Sequence, residues 1–214
     1  MAAPELPPLP ANYAKALELI DEAHAQDPRP ATSSDADSNS QSISYELHYA
    51  RKMTRWLAVH SPSAGPELQL ACRAQHFRRW TIPRDTFPMT RPGYLTWRAK
   101  LKSQAAVQVA ELLRSSPAIQ PPLSDEAVDR IAALIRKENL AKDEGTQALE
   151  DVACLVFLDG YFDDFEKREE LDEAKIIGIL QKTWGKMGER GRELALAMDL
   201  SNRAKELVTK ALAG

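Results

Sequence analysis

Cysteine is scarce in this chain, and that scarcity narrows the chemistry first. Only Cys72 and Cys154 occur, each inside an apolar helical stretch and without ligand-like spacing. Buried free thiols and a reducing, cytoplasmic setting are therefore expected. No apolar run approaches the roughly 18 residues that a membrane helix needs, so no membrane span is expected. The opening MAAPELPPLP lacks both a basic n-region and an apolar h-region, so it is not expected to be a secretory signal. Positive charge is not in excess: 28 Lys and Arg face 31 Asp and Glu, a formal net charge of -3. Phosphate-driven binding needs a surplus of cations, so nucleic acid is not expected as a partner. Glycine is also sparse, and the chain has no Gly-rich phosphate loop, no GxSxG, no HExxH and no CxxC. Alternating period-2 strands bounded by turn residues are missing, and so is any internal repeat.

What remains is helical periodicity. Apolar residues recur three and four apart from Asn12 to about Ala25, from Ser44 to His60, and from Pro66 into the run HFRRW. Prolines at 83, 88 and 92 make the segment 81–92 a loop. Helical spacing then resumes from Gly93 to Ser115, and Ser124 followed by Asp125 and Glu126 marks a capped helix start. The most apolar helix, LEDVACLVFLDGYF, is expected to begin at Asp143 or Thr146 and to reach about Lys167. Two more are expected at 172–187 and 189–213, the second broken near Asp199 and Ser201. The expected fold is all-α: a single compact multi-helix bundle of seven to nine helices over residues 1–214. Residues 1–10 read as a Pro-rich extended N-terminus and 27–42 (DPRPATSSDADSNSQS) as a flexible Ser/Asp-rich loop.

Function is best sought where a helix breaks its own pattern. In RAQHFRRW, a continued helix would place Arg73, His76, Arg79 and Trp80 on one face. That face would offer a titratable imidazole, permanent cations and an aromatic wall, the parts of an anion or phosphate pocket with an acid or base at hand. Glu150 and Asp151 are adjacent carboxylates in an otherwise apolar helix, where burial demands a cation, a metal or hydrogen-bond donors. A position near the helix start, complementing the dipole, is the structural alternative. Lys182 and Lys186 flank Trp184 in KTWGKM, and PMTRPGYLTWR adds Arg91, Tyr94, Trp97 and Arg98. His48, His76 and a later carboxylate follow the His…His…carboxylate order of HD-type phosphohydrolases, which are all-helical. The second His of that motif is followed by Asp, whereas Phe77 follows His76 here.

With these segments laid out, the chain resembles the family called domain of unknown function 4202, found in bacteria and fungi. The matching stretches are ELHYARKMTRWL, ACRAQHFRRWTIPRDTFPMTRPGYLTWRAKLK, the region of Lys137, TQALEDVACLVFLDGYFDDF and ILQKTWGKMGERGRELAL. The family pattern singles out His76, Arg79 and Trp80; Glu150 and Asp151; and Lys182, Trp184 and Met187. The resemblance thus implies one shared pocket formed from three segments. The expected function is an enzyme acting on a small anionic or phosphorylated metabolite, with an HD-like metal-dependent phosphohydrolase as its sharpest form. His76, Glu150 and Asp151 would be catalytic, with His76 and Asp151 as ligands of a divalent metal. Arg79, Trp80, Arg91, Tyr94, Trp97, Arg98, Lys137, Lys182 and Trp184 would bind substrate. The alternative is a non-catalytic ligand-sensing or protein-interaction module in which Arg, His and carboxylates form a buried structural network.

Overall fold

A computed structural model describes residues 4–31, 43–161 and 172–213. Among the described residues nine α-helices occur and no strand: α1 Ala11–His24, α2 Tyr45–His60, α3 Pro66–Arg73, α4 Arg91–Ser115, α5 Asp125–Arg136, α6 Glu144–Val156, α7 Glu173–Trp184, α8 Glu189–Leu196 and α9 Asn202–Ala213. The all-α expectation therefore holds. Most of the Ser/Asp-rich segment 27–42, and residues 162–167 at the expected end of the sixth helix, lie outside the described residues. No helix among the described residues is long and apolar enough to cross a membrane.

Helix starts follow local side-chain chemistry. Ser124 Oγ accepts the Ala127 N–H at 3.2 Å, Thr90 Oγ1 accepts that of Gly93 at 3.2 Å, and Asp172 Oδ1 accepts that of Lys175 at 2.8 Å. Each satisfies a backbone donor that the first helical turn leaves orphaned. Asp143 does the same for α6, accepting the Thr146 N–H at 2.7 Å while clasping Arg130 with both carboxylate oxygens.

Two helices end earlier than their periodicity suggests. α3 stops at Arg73, and Arg78 takes the left-handed conformation (φ 49°, ψ 34°) before a 3-10 turn over Arg79–Thr81. Arg73, His76, Arg79 and Trp80 therefore do not share a helix face. Tertiary contacts override propensity here: Phe77 enters the core at 2 % exposure, and the Trp80 N–H reaches a carboxylate on α2. α6 passes into a π turn at Phe157–Tyr161, where the backbone leaves helical geometry at Asp159 and at Gly160 (φ 107°), a value that glycine adopts freely.

The chain groups into two compact units, Met1–Leu149 and Glu150–Gly214. In the first, α3 packs on α1, α2 and α5, and α4 lies along α5. Ile20, Met53, Leu57, Leu70, Phe77, Ile131 and Leu134 are sealed in its core. In the second, α7 packs against α9, and Ile176, Leu180, Met187 and Leu207 are buried.

The Arg130 guanidinium beside Asp143 holds its carboxyl down to about 2. Asp143→Ala should cost about 1–2 kcal/mol of stability at pH 7 through loss of the cap and the ion pair. A depressed carboxylate stabilises the fold above its unfolded value near 4 and stops doing so as pH falls through about 2. Melting curves should therefore show the gap between variant and parent closing with acid; an unchanged gap at pH 2 would contradict the assignment.

Candidate functional site

The first unit contains two charged clusters with opposite bookkeeping of charge. In one, every cation meets a carboxylate. Arg73, 8 % exposed, is held by Asp21 through two contacts of 2.6 Å and donates to Thr54 Oγ1 at 2.9 Å. Glu46, fully buried on α2, accepts the Trp80 N–H at 2.8 Å and an Arg29 N–H at 3.3 Å. Asp27 clasps Arg29 at 2.9 and 2.8 Å and accepts the Glu46 N–H at 3.1 Å. His24, also fully buried, donates from Nε2 to the Arg73 carbonyl at 3.0 Å and turns Nδ1 toward Glu46 Oε2 at 3.6 Å. Buried charges survive only in such company.

Glu46 has a consequence beyond its own cluster. By holding the Trp80 N–H it fixes the 3-10 turn that carries Arg79, and Arg79 belongs to the second cluster. There a small cleft, partly open to solvent, lies between the segment after α3 and one face of α4. Gln75, His76, Arg79, Arg98 and Lys102 form its polar wall; Phe77, Leu101 and Ala105 form the apolar one. Among the described residues three cations line it and no carboxylate does. Arg98 and Lys102 are four apart on α4, so they project to the same side. Arg79 lies 4.6 Å over the Trp97 ring, and Trp97 is itself fixed by an indole N–H bond to the Ile82 carbonyl at 3.0 Å.

His76 is the titratable group of this cleft. Its ring stacks on Tyr49 at 3.8 Å, and an Arg79 N–H faces its Nε2 at 3.4 Å. Guanidinium only donates, so Nε2 accepts and the neutral ring carries its proton on Nδ1. That Nδ1 is buried and has no hydrogen-bond partner among the described residues. Burial, and then the charges of Arg79, Arg98 and Lys137, hold the imidazole well below its ordinary value. Burial and Arg98 also push Arg79 down from its ordinary value. Lys137 ends α5 in the left-handed conformation (φ 59°, ψ 47°). Two of the strained non-glycine residues, Arg78 and Lys137, thus flank this cluster, a distribution typical of binding sites. The Cys72 thiol is pushed up to about 12 by burial, which leaves it unreactive.

The structure brings His76, Arg79, Arg98 and Lys137 into one neighbourhood, with Trp97 backing Arg79. Of the first unit's other predicted residues, Arg91, Tyr94 and the Trp80 indole do not line the cleft. Arg91 is exposed, and Tyr94 stands 45 % exposed beside Arg84. Trp80 contributes its backbone N–H to Glu46, and its indole is not part of the cleft. Three participants escaped sequence reasoning: Gln75, Lys102 and Glu46. Lys102 carried a readable signal, its spacing from Arg98; Glu46 read only as an acid in a first turn.

The carboxylate pair belongs to the second unit. Asp151, 1 % exposed, accepts the Gly188 N–H at 2.8 Å and so caps α8, where the helix dipole favours negative charge. Its side chain fills the space a Cβ at Gly191 would occupy, 2.6 Å from Cγ. Glu150 lies 3.9 Å from the Lys186 ammonium. LEDV and KTWGKM therefore do meet. Lys182 is exposed, and Trp184 packs under Arg192 and lines an apolar cavity with Leu180 and Met187. Among the described residues no three His, Cys, Asp or Glu side chains gather as a metal would require. The cations that disfavour a protonated His76 would disfavour a divalent ion more strongly, so this donor set does not suit a metal.

A family model described as a domain of unknown function, DUF4202, matches residues 14–208, a stretch that contains the whole cleft and the Asp151 cap. The chain belongs to this family. No curated protein and no solved structure matches it.

Gly191→Ala should cost about 1–3 kcal/mol by overpacking against Asp151. Asp151→Ala should relieve part of that cost, so the double variant should lose less than the two single losses combined, by about 1 kcal/mol in chemical denaturation. Strictly additive losses would show that Asp151 and Gly191 do not share the space.

Proposed function

We propose that this protein is an enzyme acting on a small anionic, phosphorylated metabolite bound in the cleft of the first unit. One observation carries the reading: Arg79 and Arg98, side by side and partly buried, have no carboxylate partner among the described residues. Elsewhere in the same unit Arg29, Arg73 and Arg130 are all paired. Buried cations left uncompensated are costly unless an anion from outside compensates them. Arg79 and Arg98 offer forked donors suited to a phosphoryl group, and Lys102 supplies a point charge.

His76 supplies the chemistry. In the free protein it is a weak base, because burial first, and then the charges of Arg79, Arg98 and Lys137, oppose its protonation. A bound anion offsets those cations and raises its affinity for a proton, so it becomes an effective general base or acid only with substrate in place. The second reading, a non-catalytic sensor, is favoured by one contact: Nε2 already faces Arg79, which suits hydrogen-bonding recognition as well as proton transfer. The cationic surroundings lend no support to an HD-like metal version of the enzyme, and no step here runs through a metal. The paired network around Glu46 serves the structural role that the module reading assigned to all these residues.

Replacing Arg98 by Gln separates the two kinds of cluster. In a ligand site the unliganded variant should melt at or above the parent temperature, because a like charge has gone. In a structural network it should lose about 3–5 kcal/mol. Inorganic phosphate at about 100 times its Kd should stabilise the parent by about 2.7 kcal/mol and the variant by much less. Strong destabilisation without any phosphate effect would refute the anion site. With a phosphorylated substrate in hand, His76→Gln should abolish turnover and preserve binding if the enzyme reading holds; full activity would refute it.

A further inference from the structure

Exposed apolar side chains cluster at one place in the first unit. Six large ones are exposed among the described residues, and three of them, Met89, Tyr94 and Leu95, sit together at the start of α4. Met89 and Leu95 project furthest of the three, 77 % and 57 % exposed, and so form a ridge rather than a groove. The ridge is held in shape from behind. Arg84 donates to the Phe87 and Pro88 carbonyls at 3.0 and 2.9 Å. A Cβ at Gly93 would collide with the Pro88 carbonyl, and Thr90 caps the helix. Scattered apolar residues on a surface need no explanation, whereas a fixed cluster marks an interaction surface.

Charge sits around the same ridge. Residues 78–102 contain seven Arg and Lys and one acid, Asp85, in a chain whose net charge is -3. Arg91 opens α4, where the helix dipole disfavours a cation. Arg84, Arg91 and Arg98 have no ion pair among the described residues, whereas the exposed Arg114, Arg190 and Arg203 each hold a carboxylate. Arg91 and Arg98 lie one turn to either side of Leu95 on α4, and Arg84 stands 5.9 Å over the Tyr94 ring. We infer that this ridge docks the protein on the surface of an anionic lipid bilayer. Met89, Tyr94 and Leu95 enter the boundary between headgroups and acyl chains, and Arg84, Arg91 and Arg98 meet the anionic headgroups. Nucleic acid would meet the cations but leave Met89 and Leu95 in water. An acidic peptide needs a groove, which a ridge does not offer. A second copy joined through the same face would set arginine against arginine. Met89, Arg91 and Leu95 lie outside the cleft, so the inference does not rest on the anion-site reading.

The test is flotation of the full chain with vesicles of equimolar phosphatidylserine and phosphatidylcholine, against vesicles of phosphatidylcholine alone. The parent should bind the anionic vesicles and not the neutral ones, and added salt should weaken the binding. Arg91→Gln should lower the affinity about fivefold. Met89→Ser combined with Leu95→Ser leaves the charge unchanged and should lower it about tenfold or more, because apolar area no longer enters the interface. All three positions are exposed, so the variants should melt with the parent. Leu196→Ser, at an exposed leucine of the second unit, should bind as the parent does. Equal binding to neutral and anionic vesicles, or none to either, overturns the inference. Anionic binding that the Met89 and Leu95 replacements leave unchanged also overturns it, since that is attraction of charge alone. If vesicles fail while polyuridylate or polyglutamate binds in an Arg91-dependent way, the surface belongs to nucleic acid or to an acidic protein instead.

Discussion

The carboxylate of Glu46 is the contact on which the first unit's chemistry depends. It has no access to solvent, so its charge must be met entirely by protein groups. Arg29 and the Trp80 N–H meet its Oε1, and Oε2 faces His24 Nδ1 at 3.6 Å, beyond hydrogen-bond length. Those contacts join α1, the start of α2 and the turn after α3. They also explain why α3 does not continue: the chain must turn at Arg78 to bring the Trp80 N–H to Glu46. Removing one partner of such a buried group costs about 3–5 kcal/mol, which is ample to outweigh one residue in a left-handed conformation.

The turn that Glu46 enforces places Arg79 against Trp97 and beside Arg98. Arg79 and Arg98 meet no carboxylate among the described residues. Asp21, Asp27 and Glu46 are all committed to Arg73, Arg29 and the backbone, and none is left to line the cleft. The resulting local field is positive although the chain as a whole has a net charge of -3. On the proposed reading, that field would draw a small anion to one place on a protein whose overall charge does not favour anions. Burial, and then the same field, keep His76 neutral, and the field's share would couple the proton affinity of the imidazole to occupancy of the cleft.

Much of the fold was legible in the sequence because helical periodicity, caps and proline breaks are local signals. Ser124 and Asp143 start helices where their side chains predict, and the last helical stretch breaks between Leu196 and Asn202 near the expected Asp199 and Ser201. The reading failed where a distant contact decided. Arg73 was expected on the helix face of an anion pocket, yet it is buried on Asp21, a residue far away in the chain. For the site, residue types were better guides than geometry. His76, Arg79 and Arg98 were singled out by residue type and do line one cleft, but the helix face meant to assemble them does not exist. Gln75 gave no signal at all, since a lone amide becomes informative only when its oxygen is seen buried without a partner. Asp151 shows the converse: its oddity in an apolar helix was real, and its explanation is the cap it provides to α8 beside Gly191.

The central claim is that the cleft's positive field awaits an anion, and His76 reports on that field directly. Nitrogen and proton NMR of the imidazole, followed through pH with and without saturating phosphate, measures it. The account predicts a ring that stays neutral well below its ordinary value near 6.5 in the free protein, with the proton on Nδ1. Phosphate should then shift its titration upward, toward the ordinary value. A His76 that titrates near 6.5 in the free protein, or one whose titration phosphate leaves unmoved, would contradict it.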